Sequence, residues 1–107
     1  MFARSVSFHM KPGRAAEFTQ LIEKDIIPML RKQKGFQHEV TLVAPGGADA
    51  VAISVWDEKA NAEAYARAAY PGVLKTLGPV VEGTPQVQSY EVANSTFNKI
   101  AAVQVTH

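Results

Sequence analysis

Hydrophobic and polar residues alternate in four stretches of this chain and recur at three- and four-residue steps in two others. Phe2 to Met10 alternates with Phe2, Val6, Phe8 and Met10 on one side and Ala3, Ser5, Ser7 and His9 on the other, which predicts a strand. Arg4 falls on the apolar side and breaks the pattern. Lys11-Pro12-Gly13 then reads as a turn, because Pro12 cannot continue a central strand. From about Arg14 to Lys34 the residues Ala15, Phe18, Ile22, Ile26 and Met29 or Leu30 follow helical spacing. Glu17 and Glu23 lie toward its start and Arg31, Lys32 and Lys34 toward its end, as the helix dipole favours. Pro28 predicts a kink or break inside this helix, and Gly35 a left-handed residue after it.

Phe36 to Ala44 alternates again, with Phe36, His38, Val40 and Leu42 on one side and Gln37, Glu39, Thr41 and Val43 on the other. Pro45 to Asp49 is a five-residue turn, suited to a hairpin into a third strand. That strand has Val51, Ile53 and Val55 on one side and Ala52, Ser54 and Trp56 on the other. Asp57 is placed to cap the helix that follows, where Ala60, Ala64 and Ala68 form a small-residue stripe suited to lying on a sheet. Pro71 ends it and starts a short further helix with Val73, Leu74 and Leu77 inward. Gln86 to Ala93 is a fourth strand whose weaker alternation predicts a bulge or an edge position.

The order strand, helix, strand, strand, helix, strand predicts an α+β, ferredoxin-like βαββαβ domain over residues 1–93: a four-stranded antiparallel sheet with its helices on one face. The more apolar strand sides are expected to meet the helices. The other face, with Ala3, Val43, Ala52 and Trp56, would then need a second copy of the chain to cover it. The tail, residues 94–107, carries Phe97 and Ile100 and could cross to the partner subunit.

Composition narrows the partners. At 107 residues the chain is one domain, long enough to bury roughly two-thirds of its unfolded surface. A formal net charge of +1 argues against nucleic acid and against an anionic membrane surface. There is no cysteine, hence no thiolate nucleophile and no disulfide. No apolar run approaches the roughly 20 residues of a membrane span, and no signal-peptide pattern opens the chain, so a cytoplasmic location is expected. Gly46-Gly47 lies in a hairpin turn and not before a helix, so no phosphate loop is present, and no serine lies in a nucleophile elbow.

The Lys11-Pro12-Gly13 turn, the Gly35-Phe36 pair and the run SVWDEKANAEAY from Ser54 to Tyr65 resemble the antibiotic-biosynthesis-monooxygenase-like superfamily, the dimeric α/β-barrel proteins, over about Phe2 to Ala93. The resemblance implies a homodimer whose sheets face each other around ligand cavities. It also implies, for some members, oxidation of polycyclic aromatics by dioxygen without metal or organic cofactor. Heme degradation is the other chemistry in the superfamily, but its first-strand Asn and helix-borne Trp and His have no counterparts here. The types used by the quinone-forming branch, Trp56, Asn61, Tyr65, Arg67 and Tyr70, cluster in the corresponding region.

Candidate ligand-binding residues are therefore Arg4, His9, Trp56, Tyr65 and Tyr70, with no catalytic residue assigned, no cofactor and no metal ligand set. Arg4 in an apolar strand side would anchor an acidic ligand or steady an enolate, or else snorkel past the strand end. Trp56 would line a cavity or pack in an interface. Tyr65 and Tyr70 would donate to a substrate oxygen or mark the helix–sheet boundary. His9 and His38 would act as bases or serve structure alone. Two functions follow: a cofactor-independent monooxygenase acting on a small aromatic or enolisable substrate, or a non-catalytic dimer that binds a small ligand or serves structure.

Overall fold

The computed structural model describes residues 1–96; the expectations for Phe97 and Ile100 lie outside the described residues. Strands β1 (Phe2–Met10), β2 (Phe36–Val43), β3 (Asp49–Trp56) and β4 (Val81–Glu91) form one antiparallel sheet in the order β2-β3-β1-β4. Helices α1 (Ala15–Leu21), α2 (Ile27–Leu30), α3 (Lys59–Ala68) and α4 (Tyr70–Leu77) all contribute buried side chains to a single core on one side of that sheet. This is the expected ferredoxin-like arrangement. The last strand begins five residues earlier than its alternation predicts, at Val81, and it is both an edge strand and bulged opposite Ser7–His9.

The first helix is interrupted rather than bent. A π-helical turn over Ile22–Ile26 separates α1 from α2, and the Ile27 N–H bonds to the Ile22 carbonyl. Pro28 causes this. It has no N–H to offer the preceding turn, and its ring would strike the carbonyl four residues back; a wider turn relieves both. Ile22, Ile26 and Leu30 nonetheless reach the core. The helical segment stops at Leu30, short of the predicted Lys34.

Two local expectations are corrected. Asp57 does not cap α3: no side-chain cap bond forms, and its carboxylate instead accepts from Asn61 Nδ2 at 2.8 Å. Ala60, Ala64 and Ala68 face solvent, while Ala62 and Tyr65 are the residues of α3 buried against the sheet. Gly35 takes the expected left-handed conformation (φ 83°), and its carbonyl accepts from the Asp57 N–H at 2.9 Å. A Cβ here would overlap the Asp57 carboxylate and meet the Asn61 Cβ at 2.8 Å, so this crossing of the chain has room only for glycine.

The largest correction concerns the faces of β2 and β3. Directly opposed residues in adjacent strands share a face. Phe2 pairs with Trp56, Arg4 with Ser54, Val6 with Ala52 and Phe8 with Ala50, so the small side of β3 lies under the helices. Glu39 pairs with Ser54 and Thr41 with Ala52, which brings the polar side of β2 with it. A bulge between Phe36 and His38 keeps Phe36 on the helix side, where its ring meets Trp56 at 5.6 Å. Val40, Leu42, Val51, Ile53 and Val55 therefore turn away from the helices, together with Tyr90 on β4. The bulky aromatic and aliphatic groups descending from the helices need small partners below them, and Ala50, Ala52 and Ser54 supply that space.

Candidate active site between sheet and helices

Arg4 is 6% exposed and makes no hydrogen bond or ion pair among the described residues. Its stem lies on the helix-covered face of the interior strand β1, and the residue also borders an open groove of about 570 Å³ between α3 and β4. Two tyrosines receive the guanidinium. Its Cζ stands 4.6 Å from the ring centroid of Tyr70 and 5.4 Å from that of Tyr65, both cation–π distances. The two rings come from consecutive helices, α3 and α4, which are joined at Ala69 and so present Tyr65 and Tyr70 side by side at 6.4 Å.

Trp56 closes one end of this arrangement. It is fully buried in the core of its own subunit, stacked at 4.9 Å and 30° on Tyr65. It is therefore not an exposed residue awaiting a partner chain. Its indole N–H donates to Ser54 Oγ at 2.9 Å, so it is not free for a ligand. Ser54 accepts that bond and keeps its own hydroxyl hydrogen to donate elsewhere.

A small cavity of about 30 Å³ lies among these groups, bounded by Arg4, Glu39, Ser54, Tyr65 and Tyr70 and by apolar residues of β1, the first helical segment and α4. That volume holds about one water molecule. A much larger groove of about 680 Å³ lies outside it, between the π turn and β2, and shares Ile22 and Glu39 as walls.

The electrostatics are one-sided. Burial pushes the Tyr65 hydroxyl up to about 12, against the pull of Arg4, so it stays protonated, with a hydrogen to donate. Tyr70 is shifted upward for the same reason. Glu39 is half-buried, and burial raises its carboxyl above the ordinary 4.5, opposed by a hydrogen bond from Thr41 Oγ1 at 2.7 Å. The cavity thus offers several donors and a fixed positive charge, with one carboxylate at its neck.

Of the five residues singled out from sequence, the structure brings together Arg4, Trp56, Tyr65 and Tyr70. His9 is elsewhere: it is exposed on the open face of the sheet, with Nδ1 2.6 Å from the Asp49 carboxylate. Glu39 and Ser54 were missed, because both sat on strand sides assigned to the open face. A signal for them existed. The hairpin turn sets Val43 against Ala50, and counting back from it puts Glu39 opposite Ser54. Among the described residues no three acidic or histidine side chains gather to hold a metal ion, and no helix is long and apolar enough to cross a membrane.

No family model and no curated protein matches the sequence. Solved structures do match the fold. A protein of unknown function from Nitrosomonas europaea aligns with TM-score 0.74 and 16% identity over 89% of this chain and 91% of its own. A Bordetella bronchiseptica protein provisionally named an antibiotic biosynthesis monooxygenase gives 0.76 and 17%, over 87% and 97%. A Streptomyces coelicolor monooxygenase in complex with nanaomycin D gives 0.68 and 20%, over 88% of both chains. The chain has the fold of antibiotic biosynthesis monooxygenase structures.

Proposed function

We propose that this protein is a cofactor-independent monooxygenase acting on a small aromatic or enolisable substrate bound between the sheet and the helices. The observation that carries this reading is the buried guanidinium of Arg4, without an ion-pair partner among the described residues, flanked by two tyrosines and backed by Trp56. A buried cation without a counter-ion is costly. An anion formed inside the cavity removes that cost at the moment it forms, which is the requirement for stabilising a phenolate or enolate. Such an anion can itself reduce dioxygen. In the overall change a substrate methylene becomes a carbonyl: one oxygen atom enters the product, and the other leaves as water with the two hydrogens. The protein's share is orientation, charge and an enclosed site. A Streptomyces coelicolor monooxygenase of this fold is in complex with nanaomycin D, which supports a small organic ligand for this chain; the cavity of about 30 Å³ would have to open into the outer groove to take it.

The working unit in this reading is a homodimer. The face of the sheet turned away from the helices carries Val40 (40% exposed), Leu42 (53%) and Tyr90 (51%) beside the half-buried Val51, Ile53 and Val55. A contiguous apolar surface of this kind is rarely left to water, and a second copy paired about a two-fold axis covers both with one self-complementary contact.

Oxygen consumption with a panel of hydroquinones and anthrones tests the chemistry. Wild-type protein should consume oxygen with at least one of them, and Arg4→Met should lose most of that rate while keeping its fold. Equal rates for the two proteins would overturn the reading. Binding of panel compounds without oxygen uptake would instead leave a small-ligand-binding dimer.

A further inference from the structure

One row of the sheet crosses the candidate site. Glu39 on β2 is opposite Ser54 on β3, and Ser54 is opposite Arg4 on β1. Adjacent strands are about 4.8 Å apart, so the α-carbons of Glu39 and Arg4 are about 10 Å apart with the serine between them. Both side chains are long enough to meet across that gap, yet they form no ion pair; each lines the same cavity from its own side. Ser54 accepts from Trp56 and has its hydroxyl hydrogen left to donate. The row therefore places one acceptor, one neutral donor and one cation in sequence along a cavity floor. Tyr65 and Tyr70 lie over the cation.

We infer that Glu39 is the proton-abstracting residue of this cavity once displacement of Ile22 opens it into the outer groove, and that its ligand is a carbon acid, a ring-bearing carbonyl compound whose enolate oxygen is received by Arg4 and Ser54. The inference rests on the oxygenase reading above and supplies its first step. A carboxylate oxygen of Glu39 takes a proton from the carbon next to the carbonyl. The C–H electron pair becomes the enolate C=C bond, and the carbonyl π pair moves onto oxygen, beside the guanidinium. No electron is gained or lost, and no further reactant is needed.

Three observations favour Glu39 over its neighbours. Among the titratable residues that line the cavity, the two tyrosines hold their protons and Arg4 is a cation, so Glu39 alone can accept. Its carboxylate also borders the outer groove, so the proton it takes has a way out to solvent. Burial has made it a stronger base than an exposed glutamate. The groups facing it are Thr41 on its own strand, Arg4 on β1 and Tyr65 and Tyr70 on the helices. Glu23 and Arg31 border the same outer groove from the first helical segment.

Hydrogen–deuterium exchange at the activated methylene of 2-tetralone, followed by NMR without oxygen in D₂O buffer, isolates this step from oxidation. Wild-type protein should accelerate exchange over buffer, with a rate that rises with pH through an ionisation above the ordinary carboxyl range. Glu39→Gln should lower the exchange rate about 100-fold or more. Glu39→Asp should keep a partial rate, and Arg4→Met should slow exchange by removing the charge that receives the oxygen. His9→Ala, on the far face, should leave it unchanged. Exchange that survives Glu39→Gln in a folded variant would overturn the inference, as would no exchange above buffer by wild-type protein. Exchange without any oxygen uptake sinks the oxygenase reading alone. Oxygen uptake equal in wild type and Glu39→Gln sinks the role of Glu39 alone.

Discussion

The two faces of this one sheet follow opposite rules. On β2 and β3 the covered face is built from small residues, a carboxylate and a large ring: Ala50, Ala52, Ser54, Glu39 and Trp56 lie there, opposite Phe2, Arg4, Val6 and Phe8 of β1. On the same two strands the open face is the more aliphatic, with Val40, Leu42, Val51, Ile53 and Val55, while β1 turns Ser5, Ser7 and His9 to that face. In a sheet with one wet side the contrast would run the other way, with the aliphatic side inward. Here the helix side of β2 and β3 carries the space and polar groups that the proposed ligand would use, whereas their outward side has the aliphatic composition that the proposed dimer would bury. The polarity of a strand side thus reports what that side must contact and not whether it is inside the subunit.

The largest effect expected from this contrast is on assembly. In the proposed dimer Leu42→Glu would place a carboxylate twice in one two-fold interface, and each costs several kcal/mol to bury. Sedimentation at low micromolar concentration should show a dimer for wild type and a species near 11.6 kDa for the variant, with helix and strand content unchanged. A dimer that survives the substitution would remove the open face from the interface. On the covered side, Trp56→Ala should lower unfolding stability by about 3–5 kcal/mol in urea titration, since the indole is wholly enclosed. A loss below about 1 kcal/mol would mean that the covered face is loosely packed. Arg4→Met should leave stability unchanged or raise it by about 1–2 kcal/mol, because it replaces a buried charge by an apolar stem of similar length. A clear loss would show that the guanidinium–tyrosine contacts outweigh its desolvation.

The smallest effect is a pH dependence at Glu39. Its carboxyl binds a proton more tightly folded than unfolded, so the charged form opposes folding. This part of the stability is fully present below the ordinary value of 4.5 and is lost as pH rises through the raised folded value. Glu39→Gln removes the cost. Its melting temperature should exceed that of wild type at pH 7 to 8, and the gap should close toward pH 4. A gap independent of pH would assign the change to packing.

Element order and type were legible because alternation and helical spacing are local signals. The run from Val51 to Tyr70 announced a strand leading into a helix, and Gly35 and Pro28 marked the two irregular places correctly. The faces of β2 and β3 were not legible. Both sides of these strands carry apolar residues, and alternation gives a period without saying which phase meets the helices. Arg4 was visible because it interrupts an otherwise apolar strand side. Glu39 was not, since a carboxylate on a strand side bearing Gln37 and Thr41 looks like a solvated one. Only the pairing register, which joins residues far apart in sequence, places it in one row with Arg4, across Ser54.

The sheet order also governs how fast the protein can fold. β1 precedes the other three strands of its sheet in the chain, yet it sits in the interior of the sheet with β3 on one side and β4 on the other. It has no strand to pair with until the β2–β3 hairpin has emerged, and its second edge stays open until β4 follows. The hairpin can form by itself in microseconds, but both ladders of β1 must close long loops before any contact repays the lost chain entropy. Folding should therefore be limited by the docking of β1. Until then its Phe2, Val6, Phe8 and Met10 side is an exposed apolar strand, and this is the interval in which newly made chains are most prone to aggregate.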